Sequence, residues 1–306
     1  MSYQSIINTM RVGFMAYNYP IPEDVSEPGK MEWVQRRAAE LGCDCLQMRY
    51  PYETHSADTV ALFRGWMETY GMEYDIHVML PIFKINQAGG EEIAAELRRR
   101  CRMIRELGMN NLRSGYGGLK IESSRFAKSA PDAAEQKTGY VEALRTCAKI
   151  LEEEEVYLAV ENHCDFTGKE QAAMFDAVDS PFVGCAMDTA NGLTVYADPD
   201  DDIEVLAQYA FTTHMKDFEV LQETVPGRIP FFANDCTLGD GIVNLPRAID
   251  LFAKRSPFRK GLHLIIETGW DPKRMDLTKA EQLEAKKKRI DDGVAYLLRL
   301  RKNNYL

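Results

Sequence analysis

The chain of 306 residues is poor in several things that would have fixed its function early. Its seven cysteines (Cys43, Cys45, Cys101, Cys147, Cys164, Cys185 and Cys236) include no C-x-x-C pair, which excludes zinc ribbons and a disulfide framework and leaves small buried hydrophobes. No stretch approaches the roughly 20 apolar residues of a membrane span. The opening MSYQSIINTM lacks the charged start and apolar core of a secretory leader, so a cytoplasmic location is expected. Lysine and arginine (37) fall short of aspartate and glutamate (47), giving a net charge of -10 and no general attraction for nucleic acid or anionic membranes. Glycine is missing where a dinucleotide fold needs it: Gly13 is followed by Phe14-Met15-Ala16-Tyr17, not a phosphate cradle. The GYGG beginning at Gly115 follows a later strand and is a weak match.

What is present is an even alternation of short apolar runs with longer amphipathic ones, the pattern of parallel strands joined by helices. Strands are expected at Val12–Ala16, Cys45–Arg49, Tyr74–Leu80, Asn111–Ser114, Tyr157–Glu161, Val183–Asp188, Phe211–His214 and Leu262–Glu267. Helical periodicity covers Glu32–Leu41, Ala57–Tyr70, Glu91–Leu107, Tyr140–Leu151, Leu245–Ala253 and Ala280–Arg301. The arginines of Glu91–Leu107 and the acidic run Glu152–Glu155 read as solvated faces. No linker or composition shift divides the chain. The expected fold is α/β, a single (β/α)8 TIM barrel spanning residues 1–306, with a long polar loop at about 217–241. A doubly wound sheet is the rival.

Four successive expected strands end in possible metal ligands: VYLAVE in Glu161, VGCAMD in Asp188, AFTTH in His214 and LHLIIE in Glu267. In a barrel, strand ends converge on one rim, so these side chains share a space. Three carboxylates crowded there would raise one another's pKa values unless a cation neutralised them. One imidazole, three carboxylates and no thiolate suit a hard divalent ion, Mn2+ first, with Mg2+, Co2+ or Zn2+ as alternatives.

The same residues carry a resemblance. AVENH (159–163), MDTANG (187–192), HMKD (214–217) and IIETGW (265–270) resemble the xylose-isomerase-like TIM barrels, a group of sugar isomerases, ketose epimerases, inosose dehydratases and metal-dependent apurinic endonucleases. The resemblance implies that Glu161, Asp188, His214 and Glu267 bind one divalent ion. Two departures narrow it. Ketose 3-epimerases usually carry a histidine three residues beyond the aspartate, where this chain has Asn191; the endonucleases need more histidines than the five here. ENH, DTAN and HMKD look closer to the sugar phosphate isomerase or epimerase set, and also to the large subunit of bacterial C-glycoside deglycosidases.

The expected reaction is proton abstraction beside the carbonyl of a sugar or keto-sugar, giving isomerisation or epimerisation. Lyase chemistry through the same enolisation, as in a dehydratase or 3-oxo-C-glycoside deglycosidase, is the alternative. A non-catalytic carbohydrate-binding barrel is the second. His163, two residues past Glu161 and of the same strand parity, is the first candidate base. Glu161 and Glu267 are the alternatives, and Lys216 is placed to stabilise an oxyanion. Asn191, Arg113, His77 and Trp270 are candidate substrate ligands, and Tyr17, Tyr19, Tyr50 and Tyr52 lie just after expected strands, where rings could stack on a sugar. The expected partner is a small sugar or glycoside, not nucleic acid or a membrane. A homo-oligomer or a small second subunit stays open.

Overall fold

The computed structural model describes residues 3–27, 29–117, 125, 132–222, 231–268 and 277–302. Among them, eight parallel strands close into a barrel: β1 (Arg11–Met15), β2 (Cys45–Met48), β3 (Glu73–His77), β4 (Asn111–Ser114), β5 (Tyr157–Glu161), β6 (Val183–Asp188), β7 (Ala210–Met215) and β10 (His263–Ile266). Each strand hydrogen-bonds its neighbours in sequence order, and β10 pairs with β1. This is a (β/α)8 TIM barrel. Helices α2 (Gly29–Leu41), α3 (Ala57–Tyr70), α4 (Gly90–Glu106), α5 (Ala133–Glu153), α6 (Gly168–Val178), α7 (Pro199–Leu206), α8 (Leu245–Arg255) and α9 (Lys279–Lys302) follow the successive strands, and a short α1 (Tyr3–Ile7) precedes them. Within the segment read as a loop, β8 (Phe218–Gln222) and β9 (Phe231–Asp235) pair as an antiparallel ribbon; residues 223–230 lie outside the described residues.

The main core lies between strands and helices, where Phe14, Leu46, Ile76, Leu112, Leu158 and Ile266 meet apolar residues of the helices. Alternate strand residues face inward. Thr212 of β7 reaches Asp75 of β3, and His214 of β7 reaches Gln47 of β2, so the interior near the strand ends is polar. Gly13 allows β1 and β2 to approach: a Cβ there would lie 1.9 Å from the Cys45 carbonyl oxygen. One irregularity matters for the site. Between Cys185 and Ala186 the β6–β7 register shifts, so Cys185 opposes Ala210 while Ala186 opposes Thr212. The extra residue in β7 sets His214 directly opposite Asp188.

β3 stops at His77 instead of running to Leu80. Met79 takes a left-handed conformation (φ 55°) and donates its amide to His77 Nδ1 at 2.8 Å, which removes it from the ladder. The arginine face of α4 and the Glu152–Glu155 run face solvent as expected, and pair across it: Arg98 with Glu153 at 2.5 Å, Arg102 with Glu154 at 2.8 Å and Arg105 with Glu155 at 2.9 Å. All seven cysteines are free, and six are buried. No helix among the described residues is long and apolar enough to cross a membrane.

Candidate metal centre

Glu161, Asp188, His214 and Glu267 come together where the sequence puts them. Each offers one ligand atom, and these atoms lie within 4.8 Å of one another. His214 Nδ1 stands 2.6 Å from Glu267 Oε2, 3.2 Å from Glu161 Oε1 and 3.9 Å from Asp188 Oδ2. Glu161, Asp188 and His214 are buried, while the Glu267 side chain keeps 24% of its exposure and opens the cluster to the rim.

The backbone around the cluster explains the aim of each side chain. Asp188 Oδ1 accepts from the amides of Ala190 (2.8 Å) and Asn191 (2.9 Å), which turns Oδ2 towards His214. Asn162 locks the ends of β5 and β6 together, donating to the Asp188 carbonyl at 2.9 Å and accepting its amide at 2.6 Å. Thr189 Oγ1 bridges to the backbone of Lys216 on both sides, donating to its carbonyl and accepting its amide.

Three cationic groups, two of them outside the four strand-end ligands, meet the carboxylates. Arg113 Nη1 donates to Glu161 Oε2, and its Nε lies 3.8 Å from Asp75 Oδ1. Lys216 Nζ lies 2.9 Å from Asp188 Oδ2 and 3.3 Å from Glu267 Oε2, in ion-pair contact without hydrogen-bond geometry, and donates to Asn191 Oδ1. The imidazole is the third. With these positive charges at hand, the carboxyl pKa values do not rise together. Burial would raise Glu267, but His214 and Lys216 hold it at about 2; burial likewise opposes the fall of Glu161, and His214 and Arg113 overcome it and hold this carboxyl well below the usual range. Asp188 goes the other way, pushed up by burial against the pull of Lys216. Burial and Arg113 lower His214, yet Glu267 and Glu161 lift it to about 9.

The other candidates divide. Lys216 turns into the cluster and not towards Asp217 or Glu219. Asn191 is buried, with Nδ2 3.4 Å from Glu161 Oε1 and 3.2 Å from the Asn162 carbonyl. His163 is half-buried, its Nδ1 makes no hydrogen bond, and its charge bears on Glu161. His77 Nδ1 is occupied by the Met79 amide. Trp270 lies outside the described residues. Of the tyrosines, Tyr19 bonds Asp291 and Arg37, Tyr50 bonds His55 and Tyr52 bonds the His77 carbonyl, whereas Tyr17 stays partly exposed beneath Arg49, whose Cζ is 4.4 Å from the ring centre. Gln47 and Asp75 were not singled out from the sequence. Their signal is a polar residue in the middle of a short buried strand, CLQM and EYDIH, which needs a partner across the barrel.

A family model for the xylose isomerase-like TIM barrel matches residues 35–299. The chain belongs to that family. A curated relative, the 3-oxo-isoapionate decarboxylase of Pectobacterium atrosepticum, is 29% identical over 123 residues, 39% of this chain and 44% of the relative. The matched part thus spans less than half the relative's length. Among solved structures, a xylose isomerase-like TIM barrel protein of Mycobacterium smegmatis in complex with magnesium superposes with a TM-score of 0.68 at 17% identity, covering 96% of each chain. D-psicose 3-epimerase with D-tagatose, from Clostridium cellulolyticum, gives 0.66 at 16% identity, covering 96% of this chain and 98% of its own. At such identities the structural likeness concerns the fold.

Proposed function

We propose that this member of the xylose isomerase-like family is a divalent-metal-dependent enzyme that moves a proton beside the carbonyl of a sugar or keto-sugar, as an isomerase or epimerase. One observation carries the reading: four ligand atoms from the ends of β5, β6, β7 and β10 converge within 4.8 Å. The donor set fits a hard cation, with three carboxylates and one imidazole and no thiolate. Manganese or magnesium suits it before zinc on donor chemistry, while solved neighbours of the fold hold magnesium in one case and zinc in another. Glu161, Asp188, His214 and Glu267 would hold the ion. When bound, such an ion polarises a carbonyl and the adjacent hydroxyl, and so favours loss of the proton between them.

The chain's own groups supply the rest. Glu267 is the most accessible carboxylate of the cluster and can take a proton from a substrate entering at the rim; His163, with its free Nδ1, is the second candidate. Lys216 carries a fixed positive charge beside Glu267 and Asp188, where it can stabilise a developing oxyanion. Asn191 holds the lysine in place. Arg113 keeps Glu161 ionised from inside the barrel. Tyr17 and Trp270 are proposed to border the sugar. The whole chain is proposed to act as one domain, with residues 217–241 flanking the mouth.

The decarboxylase relative favours a second reading, a lyase that forms the same enolate by expelling a group. The discriminating experiment incubates the metal-loaded protein in D2O with ketohexoses and, separately, with 3-oxo sugar acids and 3-oxo-glucosides. Deuterium at the carbon beside the carbonyl, with interconversion of the ketose, supports the first reading. Release of carbon dioxide or an aglycone supports the second. Absence of all of these, with no metal bound, would refute both.

A further inference from the structure

His77 closes β3 at the end of the barrel where the cluster lies, and it shares the inward parity of Asp75, which meets Thr212 across the interior. Its partner in the β3–β4 register is Arg113, which donates to Glu161, and the charges of Glu161 and His214 bear on its ring. The half-buried ring therefore borders the cluster.

The turn that follows is built around this ring. Met79 takes the left-handed conformation that favours glycine (φ 55°), although its side chain is 50% exposed and gains little from burial. The cost is borne because neighbouring groups pin the turn. Met79 donates its amide to His77 Nδ1 at 2.8 Å, the buried Arg100 donates from Nη1 to the carbonyls of Val78 at 2.7 Å and Met79 at 2.9 Å, and the Tyr52 hydroxyl donates to the His77 carbonyl at 3.1 Å. A backbone amide only donates, so Nδ1 is the acceptor and the ring proton sits on Nε2. Burial and Arg113 keep the ring neutral, which preserves that acceptor. Nε2 meets no hydrogen-bond partner among the described residues and remains accessible.

We infer that His77 is a neutral hydrogen-bond donor to the substrate, giving Nε2–H to a sugar oxygen at the barrel mouth, and that Met79 is the positioning residue that holds the ring in this tautomer. The inference rests on the reading of the site as one that enolises a sugar. A neutral donor suits the place. It can grip an oxygen beside a divalent ion without adding a charge that the ion would repel, and with Nδ1 occupied it cannot serve as the base.

The two duties of the ring separate on substitution. His77→Asn puts an amide oxygen near the place of Nδ1 and still accepts from Met79, but has nothing at the place of Nε2. His77→Gln puts an amide N–H near the place of Nε2 and leaves Met79 without that acceptor.

The test follows deuterium exchange and product release by the metal-loaded full chain on ketohexoses, 3-oxo sugar acids and 3-oxo-glucosides, with melting temperatures measured alongside. His77→Asn should lose about 100-fold in kcat/KM while melting near wild type at pH 7.5, and His77→Gln should stay within about fivefold of wild type despite melting lower. A ring that only braces the turn gives the reverse order. If His77→Asn turns over like wild type, or His77→Gln falls as far as His77→Asn, this inference alone is wrong. A wild type inactive on all of these compounds defeats the proposed reaction and takes the inference with it. A readout that needs no substrate is the long-range proton–nitrogen spectrum of the histidine-labelled protein, with His77 assigned by its loss in His77→Asn. It should show the His77 proton on Nε2 and a bare Nδ1; a proton on Nδ1 overturns the inference.

Discussion

Arg113 Nη1 stands 2.5 Å from Glu161 Oε2, with both side chains buried inside the barrel. Removing one member of such a pair strands the other charge in a medium of low polarizability. Arg113→Met should therefore destabilise the protein by about 3–5 kcal/mol in urea unfolding, and adding Glu161→Gln should recover a large part of that. A single variant within about 1 kcal/mol of the wild type would show that water or another cation compensates Glu161.

The cluster itself predicts a stability that depends on divalent ions. At free ion a hundredfold above Kd, wild type should gain about 2.7 kcal/mol, and EDTA should reverse the gain. His214→Ala and Asp188→Asn should lose the effect. Unchanged melting of wild type with and without millimolar Mg2+ and Mn2+ would count against the assignment.

Lys216 competes for the same carboxylates from 2.9 Å and 3.3 Å. Lys216→Met should bind Mg2+ more tightly, by at least about tenfold, because a like charge leaves the site. It should also exchange substrate hydrogen with solvent roughly 100-fold more slowly, because the oxyanion loses its partner. Tighter ion binding with undiminished exchange would remove Lys216 from the chemistry.

Asp217 is fully buried and accepts four backbone amides: Phe218 and Gly239 at 2.9 Å, and Gly241 and Val243 at 3.0 Å. This cradle closes the turn after β9 and explains Gly241, whose Cβ would lie 2.2 Å from Asp217 Oδ1. Asp217→Ala leaves those donors unpaired and should cost at least about 2–3 kcal/mol. Limited proteolysis should then cut within residues 236–243 sooner than in wild type.

Burial, with Arg113 nearby, pushes His77 down to about 4. An unfolded chain takes up this proton below about pH 6.5, while the folded protein resists until about 4, so the unfolded state binds more protons between the two. This share of stability is complete above pH 6.5 and is lost as the pH falls towards 4. Between pH 7.5 and 4.5, wild type should lose about 2 kcal/mol more than His77→Asn in urea titrations. Equal losses would show that His77 is freely protonated in the folded state.

How far the sequence could be read follows from what each feature depends on. Glu161, Asp188, His214 and Glu267 were legible because each ends an apolar run, and β4, β5 and β6 match their expected bounds because the pattern there is local. Helix α7 escaped periodicity because it is short and α6 because its apolar residues gather on one face less sharply than those of α8, although their starts are written plainly: Thr167 and Glu170 form a capping box, and Asp198 caps a helix that opens on Pro199. Lys216 was legible too, two residues past His214 on the same parity, whereas the β8–β9 ribbon and the Gln47–His214 contact were not. They depend on residues distant in the chain meeting across a closed barrel, which no local pattern encodes.

The displaced register between β6 and β7 has a wider meaning for how this catalyst is built. Were β7 to pair with β6 without that shift, Phe211 would oppose Ala186, Thr213 would oppose Asp188, and the imidazole would fall one residue further on, turned to the helical layer. A single peptide unit thus decides whether β7 brings an imidazole or a hydroxyl to the mouth of the barrel.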